Sequence, residues 1–295
     1  MLYRIRHSTR FSYAEPAYES HNEARLRPYS GGRQRCLSFR LIVEPEANFF
    51  SYRDYFGNWV EVVALHDPHM EASITAESLV ETDAPPDEEN GDLPFEAFLT
   101  EDLTRTREHY EYLSPSAYVP FSDRLKRFFW MVHPEPDEGV IAYSDRLVRL
   151  VRDQFAYEPG KTNVHSNLDE ILTAGAGVCQ DFAHLTLGLM RLAGIPCRYV
   201  SGYLAPLRGG IVRGEQASHA WIEALLPAQG WVGFDPTHGS RTAVNHIRIA
   251  IGRDYTDATP LRGTFRSGDA GNAMTVALQV EPIEPDRVPR LSSDQ

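Results

Sequence analysis

Residues 175–196 constrain this chain more than any other stretch. Gly175-Ala176-Gly177-Val178-Cys179-Gln180-Asp181-Phe182-Ala183-His184-Leu185 runs from a glycine-rich loop into a segment where Val178, Phe182, Leu185, Leu189 and Leu192 recur at helical spacing. Gly194 and Pro196 then stop it. The pattern predicts an amphipathic helix of about four turns, one face in a core and Cys179 in its first turn. Unpaired backbone N–H groups and the positive end of the helix dipole gather at such a start. They favour a thiolate: a free cysteine titrates near ~8.5, and helix N-termini or a nearby imidazolium lower that to roughly 3.5–7.5. Cys179 is therefore a candidate nucleophile.

A thiolate needs a base beside it, and the base needs an orienting group. The chain offers Ser218-His219-Ala220-Trp221-Ile222-Glu223 and Trp231-Val232-Gly233-Phe234-Asp235-Pro236-Thr237, separated by the turn-like Leu226-Pro227-Ala228-Gln229-Gly230. A hairpin centred on Pro227 sets Glu223 against Trp231 and His219 against Asp235, on one face. Opposed Cβ atoms lie roughly 4.5–5.5 Å apart, within reach of a hydrogen bond between imidazole and carboxylate. A one-residue slip would separate them. Pro236 marks the strand end, because proline cannot donate to the ladder. In this arrangement Cys179 attacks an acyl carbon, His219 manages the proton, and Asp235 holds one imidazole tautomer. The Cys179 N–H is the natural oxyanion donor.

The first eighty residues read as β. Leu2 to His7 and Cys36 to Val43 alternate, Asp54-Tyr55-Phe56-Gly57-Asn58-Trp59 carries a turn before Val60 to Leu65, and Ser73 to Val80 is a further strand. Ala84-Pro85-Pro86-Asp87-Glu88-Glu89-Asn90-Gly91 breaks the pattern. Helical patches follow at 94–103 and at 122–132, the second capped by Ser122. Ser144 caps a helix with Leu147, Val148, Val151 and Phe155 inward, and Asn167 caps a short one. Strands follow at Arg198–Leu204, Ser218–Leu225, Trp231–Asp235 and Ile247–Ile251, with a last one at Ala273–Val280. Helices first and strands after indicate α+β with an antiparallel sheet. The division expected is an N-terminal β domain at 1–83, an acidic linker with helices at 84–138, a core at 139–262, and a C-terminal strand with a frayed tail at 263–295.

The net charge of −12 is mostly local: residues 81–111 hold eleven Asp or Glu against two Arg, a balance of −9, and the rest of the chain carries −3. That argues against a nucleic-acid partner. No apolar run approaches the ~20 residues of a membrane span, and no apolar signal core follows the N-terminus, so no membrane is expected and the expected address is the cytoplasm. Cys36, Cys179 and Cys197 form no disulfide framework, and Cys36 and Cys197 read as buried small hydrophobes.

The quoted segments together resemble the transglutaminase-like superfamily, a papain-like group of cysteine acyl-transfer enzymes. The signs are Gly-Val-Cys-Gln-Asp-Phe-Ala-His-Leu at 177–185, Gly-Ile-Pro-Cys-Arg-Tyr-Val-Ser-Gly-Tyr-Leu at 194–204, His-Ala-Trp-Ile-Glu-Ala at 219–224 and Gly-Trp-Val-Gly-Phe-Asp-Pro-Thr-His at 230–238. The N-terminal stretches at 8–13 and 54–58 are similar to the β-rich region of its bacterial branch. The resemblance implies a papain-like transglutaminase core, with Cys179 as nucleophile, His219 as base and Asp235 as orienter. It implies acyl transfer on a peptide or protein amide through a thioester, with water as acceptor (a peptidase or amidase) or an amine (a transglutaminase). No cofactor is expected. Animal members use an upstream tryptophan as a second oxyanion donor. Here Trp130 lies further upstream and Tyr143 stands nearest that distance. Their calcium loops have no counterpart here.

Two rivals differ in class. A non-catalytic peptide-binding scaffold needs no intact Cys-His-Asp set. A zinc site from Cys179, His184, His219 and Asp235 would lack the closely spaced ligand pairs of structural sites. Gly175-Ala176-Gly177 lacks the spacing of a phosphate loop.

Overall fold

The computed structural model describes residues 1–85, 91–101, 108–162, 166–206, 212–213, 218–227, 229–266 and 271–283. Part of the acidic linker, the end of the 94–103 patch and the tail after 283 lie outside them. In chain order the strands are β1 (Leu2–Ala24), β2 (Gln34–Glu44), β3 (Phe49–Arg53), β4 (Trp59–Leu65), β5 (His69–Thr82), β6 (Ala156–Tyr157), β7 (Ala176–Gly177), β8 (Cys197–Leu204), β9 (Val212–Arg213), β10 (Ser218–Leu226), β11 (Gly230–Asp235), β12 (Ser240–Arg241), β13 (His246–Gly252), β14 (Leu261–Arg266) and β15 (Asn272–Ile283). The helices are α1 (Phe95–Glu101), α2 (Asp123–Val132), α3 (Val140–Gln154), α4 (Leu168–Ala174), α5 (Cys179–Leu192) and α6 (Tyr255–Ala258). The architecture is α+β, as the order of segments indicates.

The first sheet is organised by β1. Its alternation buries Tyr3, Ile5, His7 and Thr9 and leaves the residues between them outward, the pattern of a half-buried strand. The first half of β1 pairs with β5 on one side and with β15 on the other, over Leu2↔Ile283 to Tyr13↔Asn272. Its second half pairs with β4 and β14. The last strand of the chain thus completes the sheet begun by the first.

The second sheet, ordered β12-β11-β10-β8-β13, is antiparallel throughout. One face carries the helices and buries Phe182, Leu185, Leu189, Tyr199, Ile222 and Phe234 in one core. The helix α5 departs from the amphipathic expectation: every residue from Asp181 to Arg191 is buried. The sheet covers one side of α5, and α2, α3 and α4 cover the others. Two features permit this. Gly188 has no Cβ, and one placed there would lie 2.8 Å from Leu125 Cδ2 on α2. Arg191 donates through Nη1 and Nη2 to the carbonyls of Ser114, Cys197 and Arg253, which compensates most of its buried charge, while its buried Nε has no partner.

Local signals set the helix ends. Ser122 Oγ accepts from Leu125 N at 3.1 Å and Asn167 Oδ1 from Glu170 N at 3.0 Å, the N-caps expected. Ser144 does not cap. The N-cap of α3 lies five residues earlier, at Gly139, and the Ser144 hydroxyl donates to Val140 O at 2.8 Å inside the helix. Asp92 takes over the capping, accepting from Ile141 N and Ala142 N at 2.7 and 2.9 Å. That partner is 49 residues away in sequence. Cys197 is fully buried, whereas Cys36 is partly exposed beside a bulge in β2.

The two sheets meet over an apolar layer that includes Tyr3, Ile5, Val80, Tyr203, Ile247 and Leu278. Asn58 locks the contact. In the turn of the β3–β4 hairpin, Asp54 Oδ1 accepts from Phe56 N and Asn58 N. Gly57 supplies the positive φ of 80°. The buried Asn58 amide then bonds both backbone groups of Ile251 in β13, at 2.8 and 2.9 Å. Asn58→Ala should therefore cost about 2–4 kcal/mol: three bonds at about 1 kcal/mol are lost and Ile251 is left with unsatisfied groups. Urea denaturation of the full chain checks this.

Candidate active site

Cys179 is the first residue of α5, partly exposed, with Val178 in extended conformation before it. The turn is held from within the helix. Asp181 reaches back to accept from Val178 N at 2.8 Å, and from the Thr162 hydroxyl at 2.5 Å. Burial raises its pKa, against those two bonds. Gly177 is required here, since a Cβ would stand 2.6 Å from Asp181 Oδ2 and 2.8 Å from Asp181 Cβ. Gly175 supplies the left-handed C-cap of α4 at φ 62°. The Cys179 amide, at the first helical position, has no intrahelical acceptor.

His219 starts the buried part of β10, in the strand next to α5. Its Nε2 lies 2.8 Å from Asp235 Oδ2. The hairpin register differs from the one expected. Leu226 pairs with Gly230 and Glu223 with Gly233, two residues away from the Glu223–Trp231 pairing. The centre of the hairpin falls one residue beyond Pro227. A shift of two preserves the face, so His219 and Asp235 still point the same way and meet diagonally, not directly opposite. Across β8 the partner of His219 is Gly202. A Cβ on Gly202 would stand 2.3 Å from the Trp221 ring, so this glycine makes the room in which Trp221 packs.

Asp235 is fully buried and accepts five hydrogen bonds. On Oδ2 they come from His219 Nε2 at 2.8 Å, His238 Nδ1 at 2.7 Å and His246 Nε2 at 3.0 Å. On Oδ1 they come from the backbone N–H groups of Thr237 and His238, at 2.9 and 3.2 Å. Burial alone would raise its pKa. The bonds from the three imidazoles outweigh burial and hold the carboxyl well below the usual carboxylate range. For His219, burial alone would lower the pKa, but hydrogen bonds to Asp235 and to Cys179 push it up to about 10. Its charged form thus bridges the carboxylate and the sulfur.

His238 and His246 are absent from the sequence expectation. His238 had a local signal, three residues beyond Asp235 in an Asp-Pro-Thr-His turn. His246 opens β13 and had none. Its Nδ1 accepts from Ala243 N at 3.0 Å, which leaves the proton on Nε2, facing Asp235. Burial lowers its pKa, so it is a neutral donor with a fixed tautomer.

Two other expected positions fall elsewhere. Tyr143 is fully buried in α3, packed edge-on against Phe95, and its hydroxyl has no hydrogen-bond partner. Its place is in the core, away from an oxyanion. Tyr157, like Tyr199, lies close enough to Cys179 to feel its charge. It lies on β6, which pairs with β7 immediately before Cys179, and is half-exposed. Burial raises its pKa, and the negative charges of Cys179, Asp181 and Asp235 raise it further. His184 is committed to the core. Its Nε2 accepts from Tyr255 N at 3.1 Å, its ring stacks on Tyr118, and burial lowers its pKa to about 3. It therefore does not join Cys179, His219 and Asp235 in a ligand set. The ring nitrogens of His219 and His238 and the Asp235 carboxylate lie within 4.8 Å of one another, a grouping their hydrogen bonds account for.

Residues 3–81 match the family model "Bacterial transglutaminase-like N-terminal region", and residues 134–236 match "Transglutaminase-like superfamily". An uncharacterized protein of Mycobacterium leprae is 37% identical over 285 residues, covering 94% of this chain and 97% of its own. A protein-glutamine gamma-glutamyltransferase of Pseudomonas aeruginosa is 33% identical over 112 residues, 36% of this chain and 16% of its own. Among solved structures, a candidate cysteine protease from Cytophaga hutchinsonii has the same fold at a TM-score of 0.74. It is 22% identical, and the match covers 98% of this chain and 93% of that one. The chain belongs to the transglutaminase-like superfamily, with the bacterial N-terminal region ahead of the core.

Proposed function

We propose that this protein cleaves peptide or side-chain amides through a thioester on Cys179, with water as the acceptor. The observation that carries the reading is His219, whose pKa is pushed up to about 10 between the Asp235 carboxylate and the Cys179 sulfur. An imidazolium so placed supplies a positive charge beside the nucleophile and a proton for the leaving group.

The steps balance without a cofactor. The Cys179 thiolate attacks the amide carbon, and the carbonyl becomes an oxyanion facing the Cys179 N–H. His219 gives its proton to the leaving nitrogen. The C–N bond breaks, an amine departs and a thioester remains. Neutral His219 then takes a proton from water as the water oxygen attacks the thioester. The acid is released and the imidazolium–thiolate pair returns. Asp235 stays ionised throughout and orients the ring. Hydrolysis is favoured over transfer to an amine because no feature of the chain marks an amine site. The 33% identical segment of the Pseudomonas transferase supports the amine acceptor as the second reading.

Tyr157 takes the role of second oxyanion donor in this scheme. Tyr157→Phe should reduce kcat/KM by about 10²-fold, the cost typical of one lost donor, with Cys179 alkylation unchanged. Single-turnover kinetics with a chromogenic peptide amide checks it. The test of the function itself is mass spectrometry of acyl-enzyme trapped on Cys179 from a mixed library of peptides and amides. An added acyl mass that decays in water and yields the free acid supports hydrolysis. Decay only with an added primary amine supports the transferase. No adduct from any library member would overturn both.

A further inference from the structure

A cavity lies between the two sheets, lined in part by β10, with a volume of about 470 Å³. The N-terminal region supplies one wall through Tyr29 and Arg33 of the β1–β2 connection and Thr82 of β5, and the second sheet supplies the other through Arg198, Glu223 and Arg248. The chemistry of this cavity is unlike that of the chain as a whole. The protein carries −12, yet the cavity lining holds three guanidiniums, Arg33, Arg198 and Arg248, against the carboxylates of Glu223 and Asp83.

Glu223 is 8% exposed and fixes two of the guanidiniums. Arg198 Nη2 lies 2.6 Å from it and Arg248 Nη1 2.9 Å. Each guanidinium also stacks on an aromatic ring, Arg198 on Trp231 at 4.0 Å and Arg248 on Tyr29 at 3.8 Å. The two are therefore held rigidly, and Arg248 still has a buried Nε without a partner. Among the described residues, the guanidinium of Arg33 makes no hydrogen bond or ion pair. Arg33 itself is exposed, so its guanidinium stands open to solvent in the cavity lining.

We infer that this cavity is a binding site for a small oxyanion, a carboxylate or phosphate group, held by Arg33 and Arg248 against the aromatic wall of Tyr29 and Trp231. The planar fork of arginine matches such groups through two parallel N–H···O bonds. The site takes one wall from the N-terminal region, which gives that region a role beyond support. His246, a donor to Asp235, lies in the lining of the same cavity.

Binding is measured apart from catalysis, so this inference and the proposed acyl transfer fail separately. Trp221 and Trp231 line the cavity, and their fluorescence reports on it. The full chain is titrated with sodium succinate and, in a second arm, with sodium phosphate, each against sodium chloride of equal ionic strength. A saturable change with either probe is expected, and the tighter probe identifies the group preferred. Arg33→Gln, an exposed position with no partner to lose, should weaken that probe at least tenfold. Arg33→Lys should fall between, because it keeps the charge and loses the fork. A wild-type response no different from chloride in both arms would overturn the site. So would equal affinity in a correctly folded Arg33→Gln protein.

Discussion

Cys179→Ala should abolish turnover, by a factor on the order of 10⁶, the scale on which loss of a nucleophile has been felt in triad enzymes. The folded protein should survive. Cys179 is partly exposed at a helix start, and its side chain anchors none of the buried hydrogen bonds that hold the turn. Those belong to Asp181, which caps the same turn from two residues further on. The variant should therefore melt within about 1 kcal/mol of the parent, as for the loss of one sulfur from a partly exposed position at the edge of the core, while forming no acyl adduct. The pairing of full inactivity with retained stability distinguishes a reacting atom from a packing one. Residual turnover above about a thousandth of the parent would assign the chemistry to another group.

Asp235→Asn is the second large effect. The substitution keeps the shape but turns an acceptor-only oxygen pair into an amide that must also donate. Three imidazoles now converge on Asp235 Oδ2, and an amide cannot accept from all of them. His219 loses both its orientation and the negative charge that keeps it protonated. Activity should drop by about 10³–10⁴, the cost of a misheld tautomer. Stability should change too, with a defined pH dependence. The folded pKa of His219 is raised from 6.5 to about 10. Its contribution is fully present below about pH 6.5 and is lost as pH rises through about 10. The folded pKa of Asp235 is depressed. Its contribution is present above about pH 4 and is lost as pH falls into strong acid. The parent should therefore have its largest margin over Asp235→Asn between about pH 4 and pH 6.5, shrinking on the alkaline side. Urea denaturation of both proteins across pH 4–10 measures that margin. A margin independent of pH would mean that the His219–Asp235 pair carries no charge.

How much of this was legible in the sequence follows from the range of each interaction. The α+β class, the cysteine at a helix start and the order Cys179, His219, Asp235 rest on periodicity and turn residues, which act over a few positions. The caps at Ser122 and Asn167 are of the same kind. What depended on distant partners was not legible. The cap of α3 comes from Asp92, so Ser144 stood in its place by default. The face of β10 could be read from parity, but the register could not, because composition does not fix the length of the turn after Leu226. Tyr143 matched the upstream spacing of an oxyanion donor, yet α3 turns it into the core. Tyr157 reaches Cys179 only because β6 pairs in parallel with β7. His246 arrives from a strand joined to Asp235 through β12. These contacts are products of topology.

The central claim is that His219 activates the Cys179 sulfur as the nucleophile. Iodoacetamide labelling of Cys179, followed by mass against pH from 5 to 10 in the parent and in His219→Ala, tests it most directly. The parent should label faster than His219→Ala at neutral pH, because the variant lacks the imidazole beside the sulfur. Identical curves for the two proteins, both rising near pH 8.5, would contradict the account.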